Sequence, residues 1–110
     1  MMHYRDITHP DGRLWYSLES DGPRVTQFVV QLECWIEDEW MEVARFDHDP
    51  EGHDIREEGL HMDIYRDGEK YDVDRDFPRL NPKAGLNFSI SYLQVRNEQL
   101  IERYKSWLNK

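Results

Sequence analysis

The alternation of side chains over residues 25–36 constrains the fold of this chain more than any other feature. Apolar side chains occupy its even-numbered side, at Phe28, Val30, Leu32, Cys34 and Ile36. The odd-numbered side is mostly polar and carries Gln27, Val29, Gln31, Glu33 and Trp35. Because successive side chains of a strand point to opposite faces of a sheet, this pattern predicts a β-strand whose even-numbered face, including Cys34, is buried.

Shorter alternating segments lie on both sides of this strand. They span residues 14–18, 40–46, 60–65 and 71–73, and the inward face of the 40–46 segment is less clear than the others. Turn-forming sequences separate them, among them Ser20-Asp21-Gly22-Pro23 and Asp67-Gly68. Short strands joined by tight turns are typical of β-hairpins, so the chain is predicted to form an antiparallel sheet of about five strands. Residues 48–59 are too polar and too interrupted by Pro and Gly for a strand and are expected to form a loop.

The end of the chain has helical rather than strand spacing. Residues 86–92 alternate as a strand would, but helical spacing continues through Ile90, Leu93, Asn97, Leu100, Tyr104 and Trp107. We therefore expect one long C-terminal helix, capped by Asn87 or Ser89, with basic residues near its negative end at Arg103, Lys105 and Lys110. Residues 74–84, which contain two prolines, are expected to be an irregular connection. The predicted fold is a single α+β domain over residues 1–110, with the sheet packed against this helix.

Composition limits the classes of function. The chain has 110 residues, and its net charge of −9 comes from 23 acidic and 14 basic side chains, which disfavours binding to nucleic acid. No segment has the apolar length of a membrane span, and the N-terminal residues lack the apolar core of a signal peptide. A single cysteine, Cys34, cannot form an intramolecular disulfide. These features predict a cytoplasmic protein without a membrane partner.

Oxygen and imidazole groups are concentrated between residues 47 and 63. His61 and Asp63 are the strongest candidates for a shared site, because residues two apart on a strand lie on the same face at a spacing of about 7 Å. Asp47, at the end of another predicted strand, is the third member. This set is suited to general acid–base chemistry or to a divalent metal ion, although it has no recognised ligand spacing. The simpler interpretation is a solvated loop and strand face without a cofactor, with His61 at the surface beside Asp63.

Two tryptophans, Trp15 and Trp35, fall opposite the predicted core faces of their strands. Together with Tyr65 they are candidate partner-binding residues, since Trp is enriched at the energetic centres of protein interfaces. The expected partner is another protein or a second copy of the chain in a homodimer. The alternative is that the N-terminal segment covers this second face and buries the rings.

The order of short motifs resembles that of a group of small prokaryotic α+β proteins. The motifs are Phe28-Val29-Val30-Gln31-Leu32-Glu33, Arg45-Phe46-Asp47 and His61-Met62-Asp63, followed by a helix with Asn97, Tyr104 and Leu108. The succession of Phe46-Asp47, Gly52-His53 and a late helix is more distantly similar to TumE-like components of toxin–antitoxin pairs. Those proteins carry an Asp-Asn step and a compact His-x-His, whereas this chain has Asp47-His48 and separated histidines. The resemblance implies a small antiparallel sheet with a C-terminal helix.

The sequence therefore predicts a non-enzymatic protein-interaction module, with a relation to toxin–antitoxin systems implied by the resemblance. The alternative is a metal-dependent hydrolase or nuclease that uses Asp47, His61 and Asp63. A nuclease needs cations to hold its substrate, and the nearby candidates are few: Arg45, Arg56, Arg66 and Lys70.

Overall fold

A computed structural model of the chain describes residues 1–108. It contains six strands and two helices: β1 (His3–Arg5), β2 (Gly12–Asp21), β3 (Arg24–Ile36), β4 (Glu39–His48), α1 (Ile55–Glu58), β5 (Met62–Arg66), β6 (Glu69–Asp74) and α2 (Pro82–Leu108). The predicted α+β class, an antiparallel sheet with a long C-terminal helix, is confirmed. Lys110, predicted to lie near the end of the helix, is outside the described residues.

The six strands form one antiparallel sheet in the order of the sequence, β1 to β6. Two of its hairpins turn through a pair of residues with positive φ. These pairs are Glu37 and Asp38, with φ of 51° and 65°, and Asp67 and Gly68, with φ of 52° and 82°. Two consecutive residues with positive φ give the turn the twist that a right-twisted hairpin requires. Local turn chemistry thus explains why β3 pairs with β4 and why β5 pairs with β6.

One face of the sheet is covered by α2, which contacts β2, β3, β4 and β5. The even-numbered side chains of β3 point to this face, as predicted, and Leu32 and Cys34 are completely buried. Gly12 lies opposite Cys34 in the β2–β3 pairing, and a Cβ atom at Gly12 would lie 2.5 Å from Ile101 Cδ1 of the helix. The core is therefore the layer between α2 and the even-numbered face of the central strands.

Helix α2 begins earlier than the sequence pattern predicted. Asn81 caps it by accepting a hydrogen bond from the backbone N–H of Ala84 over 2.9 Å, and Pro82 is its first residue. The expected caps, Asn87 and Ser89, lie inside the helix, where the Ser89 hydroxyl donates to the Gly85 carbonyl. Proline suits the first helical position because the N–H that it lacks has no helical partner there. No helix within residues 1–108 is both long enough and apolar enough to cross a bilayer.

The sheet has one strand more than expected because the N-terminal residues form β1. This strand has only three residues and pairs with β2 at the edge of the sheet, where His3 lies opposite Tyr16. The alternative in which the N-terminal segment covers the second face is not what the structure shows, since β1 extends the sheet at its edge. Neither helix covers that second face, because Ile55 of α1 lies beside Gly85 of α2.

Candidate functional site

The face of the sheet opposite α2, here called the helix-free face, carries the odd-numbered side chains of β2 and β3 and their cross-strand neighbours. One row of paired residues crosses all six strands. In strand order it consists of Tyr4, Trp15, Gln31, Arg45, Asp63 and Val73. Aromatic and apolar side chains form its ends and polar or charged side chains form its middle. The centre of this face is thus polar.

Hydrogen bonds connect the polar side chains across three strands. Arg45 donates from Nε to Asp47 Oδ2 over 3.2 Å and from Nη1 to Gln31 Oε1 over 3.4 Å. Gln31 Nε2 in turn donates to Glu33 Oε2 over 2.6 Å, and Arg13 Nε donates to Glu33 Oε1 over 2.6 Å. The five residues form one continuous chain of charge-assisted bonds, which fixes their orientations.

Several of these polar side chains are buried although no helix covers them. Gln31 and Glu33 are only 4% and 7% exposed. Their larger neighbours shield them, and the Arg13 guanidinium lies 4.2 Å from the centre of the Trp40 ring. Burial makes the hydrogen bonds between them stronger, and it raises the cost of any polar atom left without a bond.

The structure brings the predicted residues Asp47, His61 and Asp63 to this face. His61 Nε2 lies 3.9 Å from Asp63 Oδ1, which is beyond hydrogen-bond distance. Phe46 and Met62 are the last pair of the β4–β5 ladder; Asp47 is the next residue of β4 beyond this pair, and His61 directly precedes β5. His61 is 4% exposed and Asp63 is 4% exposed. The expectation that His61 is a surface residue is therefore wrong.

Both carboxylates of this cluster already have a cationic partner. Asp47 pairs with Arg45, and Asp63 Oδ2 lies 3.3 Å from Lys70 Nζ. Across residues 1–108, no three His, Cys, Asp or Glu side chains are arranged to hold a metal ion. A metal at the predicted ligands would require these side chains to move and the ion pairs to change.

Buried polar atoms without hydrogen-bond partners concentrate on the helix-free face. The described part of the chain has five such side-chain atoms, and four of them belong to this face: Trp15 Nε1, Asp47 Oδ1, His61 Nδ1 and Asp63 Oδ1. The fifth is the Tyr104 hydroxyl on α2. Each buried donor or acceptor without a partner costs about 1–3 kcal/mol. Such atoms are few in native proteins, so their grouping on one face needs a physical explanation.

The predicted partner-binding aromatic residues differ in exposure. Trp35 is 45% exposed, and its ring packs edge-on against Trp40 at 5.2 Å between centroids. Trp15 and Tyr65 are half-buried. Burial, with a further contribution from the Glu42 carboxylate, raises the pKa of the Tyr65 hydroxyl. Trp35 is therefore the aromatic side chain of this set that is most available to a partner.

The acidic loop after β4 is partly ordered by its own side chains. Asp54 caps the short helix α1 by accepting from the Arg56 backbone N–H, and its two oxygens also accept from the Arg56 guanidinium over 3.0 and 2.7 Å. These bonds lower the pKa of Asp54 to about 2. The loop was predicted correctly as a break between strands, but its single helical turn was not expected.

Sequence reasoning missed the polar chain formed by Arg13, Gln31, Glu33 and Arg45. The odd-numbered side of the β3 pattern already contained Gln31 and Glu33, so polar side chains on a central strand were the available signal. Their partners on β2 and β4 depend on strand register, which the sequence does not fix for β4.

These observations define the class of the protein. It is an α+β domain in which a helix covers one face of an antiparallel sheet and the other face is open and polar. The chain belongs to the family described as "Domain of unknown function (DUF7718)", whose model matches residues 2–110. No curated protein and no solved structure matches the chain significantly.

Proposed function

We propose that this protein is a non-enzymatic protein-interaction module that pairs with a second copy of itself through the helix-free face. The observation that carries the proposal is the presence there of four buried polar atoms without partners. Because these atoms are closed to solvent in the single chain, a protein surface seated on this face would reach them only if the side chains around them moved, and it would then remove the cost of leaving them unpaired.

The aromatic side chains of the face support the same proposal. Trp35 and Tyr4 are 45% and 55% exposed, and the half-buried Trp15 lies next to Tyr4 in the sheet. Exposed aromatic rings around a polar centre provide large contact areas at low entropic cost, and Trp and Tyr are enriched among residues that dominate binding energy.

Charge favours a second copy as the occupant. The face carries three cation–carboxylate pairs, Arg13 with Glu33, Arg45 with Asp47 and Lys70 with Asp63, within a chain of net charge −9. Two acidic molecules repel each other less where their charges are locally balanced. A surface with both signs of charge can also be complementary to itself, as a two-fold symmetric interface requires.

Sedimentation equilibrium of the native protein over a range of concentrations tests the proposal. We expect a reversible dimer, and Trp35→Ala is expected to raise its dissociation constant by about tenfold or more, as for an aromatic residue that dominates binding energy. The matched control is Val95→Ala, on the surface of α2, where Val95 is 82% exposed. Circular dichroism establishes that both variants are folded. A native protein that remains monomeric at all concentrations, or a dimer that Trp35→Ala leaves unchanged, contradicts the proposal.

A relation to TumE-like toxin–antitoxin components, in the cytoplasm, is the finer form of this proposal. It rests on the similarity in the order of Phe46-Asp47, Gly52-His53 and the C-terminal helix. Inducible expression of the native chain in a bacterial host tests it. Growth arrest that is relieved by co-expression of the gene next to its own supports the relation. Normal growth together with no effect of that gene contradicts it.

The alternative function, a metal-dependent hydrolase or nuclease, is favoured by one observation. Asp47 and Asp63 lie on the same face of neighbouring strands, and His61 directly precedes the strand that carries Asp63. Calorimetric titration of the native protein with manganese, zinc and magnesium tests this alternative. Binding that is lost in Asp63→Asn supports it, and the absence of binding by all three ions excludes it.

A further inference from the structure

A cavity lies at the end of the sheet where the β3–β4 and β5–β6 hairpins turn, beside the last residues of α2. Its volume of about 760 Å³ falls within the range of about 300–1,000 Å³ that is typical of small-ligand sites. We infer that this cavity binds a zwitterionic amino acid with a large apolar side chain. The inference goes beyond the proposed self-association, because it concerns a small ligand and applies to a monomer as well as to a dimer.

The walls of the cavity are partly apolar. Ile36 and Met41 of the β3–β4 hairpin and Leu108 of α2 line it and are half-buried, and Trp35 and Trp107 add two indole rings. Trp35 is 45% exposed, so its ring is open to a ligand. An apolar side chain placed between these residues removes apolar surface from water, which favours binding.

Arg66 supplies the cavity with a cation whose orientation is fixed by aromatic rings. Its guanidinium carbon lies 5.2 Å from the centre of the Tyr71 ring and 5.8 Å from that of Trp107, and the two ring centres are 5.1 Å apart. A guanidinium group that packs on aromatic rings can still hold a carboxylate with two parallel hydrogen bonds. Arg66 is exposed. The arginines of residues 1–108 that pair with a carboxylate are others: Arg13, Arg45 and Arg56.

Carboxylates line the same cavity, namely those of Glu37, Glu39 and Asp67. All three residues are exposed, and none of them forms an ion pair within residues 1–108. Lys105, which also lines the cavity, is instead bonded to Asp11. The cavity therefore offers carboxylate oxygens to an ammonium group, which has three N–H donors.

Arg66 and Asp67 place opposite charges next to each other where β5 turns into β6. They are consecutive in the sequence, yet their side chains form no ion pair with each other. An α-amino acid carries an ammonium and a carboxylate group on one carbon atom, so its two charges suit a neighbouring pair of opposite charges. Both bonds would be charge-assisted, which makes them stronger than bonds between neutral groups.

The mixture of charges selects a zwitterion over a simple ion. Two cations and three carboxylates line the cavity, so a ligand with charge of only one sign meets repulsion there. The net charge of −9 repels an anion at long range, and Arg66 repels a cation at short range. A ligand with both charges and no net charge avoids both penalties, and the apolar walls favour a large apolar side chain.

Titration of the isotope-labelled native protein with L-phenylalanine, followed by two-dimensional NMR, tests the inference. We expect saturable shifts of the Trp107 indole and of the Arg66 and Asp67 backbone signals. Two matched ligands each lack one charge: phenethylamine has no carboxylate, and 3-phenylpropionate has no ammonium group. Each is expected to bind about tenfold more weakly than L-phenylalanine, since one charge-assisted contact is lost.

Two variants assign each charge of the ligand to a residue. Arg66→Gln should weaken binding of L-phenylalanine and 3-phenylpropionate by about tenfold and leave phenethylamine unchanged. Asp67→Asn should weaken binding of L-phenylalanine and phenethylamine and leave 3-phenylpropionate unchanged. Asparagine tolerates the positive φ of residue 67, which is 52°, so this change suits the turn. The controls Arg24→Gln and Asp76→Asn, at exposed residues outside the cavity, should affect none of the three ligands.

The comparison of three ligands on the native protein decides the question even if a variant unfolds. Either analogue binding as tightly as L-phenylalanine overturns the inference, as does the absence of saturable shifts. Shifts confined to the helix-free face, or binding of L-phenylalanine that Arg66→Gln and Asp67→Asn both leave unchanged, also overturn it. Sedimentation of the same samples reports self-association separately, so that a failure of the proposed dimer is not mistaken for a failure of this site.

Discussion

The side chain of Asn97, in the middle of α2, accepts a hydrogen bond from the backbone N–H of His9 over 3.0 Å. Asn97 is 1% exposed, and its Nδ2 atom donates to the Gln94 carbonyl over 2.7 Å. The helix is thus joined to the segment that leads from β1 into β2. A polar residue at a core position of the helical pattern has a structural explanation here, because it satisfies a buried backbone group.

Replacing Asn97 with leucine should destabilise the protein despite the apolar surroundings. The variant leaves the His9 N–H buried without an acceptor, which costs about 1–3 kcal/mol in the free energy of unfolding. Urea denaturation measures the change. Val95→Ala, on the exposed side of the same helix, should stay within about 0.5 kcal/mol of the native protein. If Asn97→Leu is as stable as the native protein, the hydrogen bond to His9 makes no net contribution to the free energy of unfolding.

Gly12→Ala should also destabilise the protein, because the added methyl group would displace the ends of two packed isoleucine side chains. Its Cβ atom would lie 2.5 Å from Ile101 Cδ1 and 2.8 Å from Ile7 Cδ1. Forcing a methyl group into a packed core costs about 1–3 kcal/mol. Chemical denaturation checks the effect, and the control is Gly52→Ala, where the nearest atom to the new Cβ, Asp49 Oδ2, is 3.7 Å away.

Removing the clashing atom should restore part of the stability lost in Gly12→Ala. Ile101→Val deletes Cδ1, so the double variant is expected to be more stable than the sum of the two single changes predicts. Strict additivity of the two changes would show that the methyl group at residue 12 is accommodated in another way.

The buried face of β3 was predicted correctly from the sequence because the alternation of apolar and polar side chains in this strand is long and uninterrupted. The inward face of β4 was less clear, and a β-bulge explains why. Leu32 pairs with Ala44 while Glu33 pairs with Glu42, so that Val43 is an extra residue and the alternation changes side. The strand β1 was missed because three residues are too few to show a period. The helix start was placed too late because Pro82 was interpreted as part of a loop.

The candidate site could be predicted only in part, because some of its contacts depend on the register in which the strands pair. The spacing of His61 and Asp63 placed them on one face, and Asp47 was named as a possible third member. The ion pair of Asp47 with Arg45 joins two residues on one face of β4, whereas the pair of Asp63 with Lys70 depends on how β5 and β6 align, and a β-bulge between these strands decides this. The contact of His61 with the His53 ring could not be predicted, because His53 comes from a loop.

The stability of the protein should decrease as the pH falls below about 6.5, in part because of His48. The His48 side chain is 1% exposed, and its Nδ1 atom accepts a hydrogen bond from the Ile55 backbone N–H over 3.1 Å. Burial, more than the charge of Arg56, lowers the pKa of His48 in the folded state, although Asp54 opposes the shift. Between the folded and the unfolded pKa of His48, the unfolded state therefore binds more protons than the folded state. The stabilisation is complete above the unfolded pKa and is lost as the pH falls towards the folded pKa.

The variant His48→Asn isolates this effect. Asparagine can place an acceptor near the position of Nδ1 but does not titrate, so the free energy of unfolding of the variant should depend less on pH between pH 5 and 7. Urea denaturation at a series of pH values gives the comparison. Identical slopes for the native protein and the variant would show that His48 is not the responsible group.

Cys34 should be almost unreactive towards thiol reagents in the folded protein. It is completely buried, and burial raises the pKa of its thiol, so both access and the thiolate form are suppressed. If the thiol reacts only from the unfolded state, a stability of at least about 5 kcal/mol slows the reaction by roughly a thousandfold or more.

The rate of reaction with a chromogenic disulfide, in buffer and in urea, measures this ratio. The single cysteine should give one equivalent when unfolded. In the control Val95→Cys, at a position that is 82% exposed, one of two thiols should react at once. A native protein that reacts as fast as this control would place Cys34 at an accessible surface and contradict the packing of α2 on the sheet.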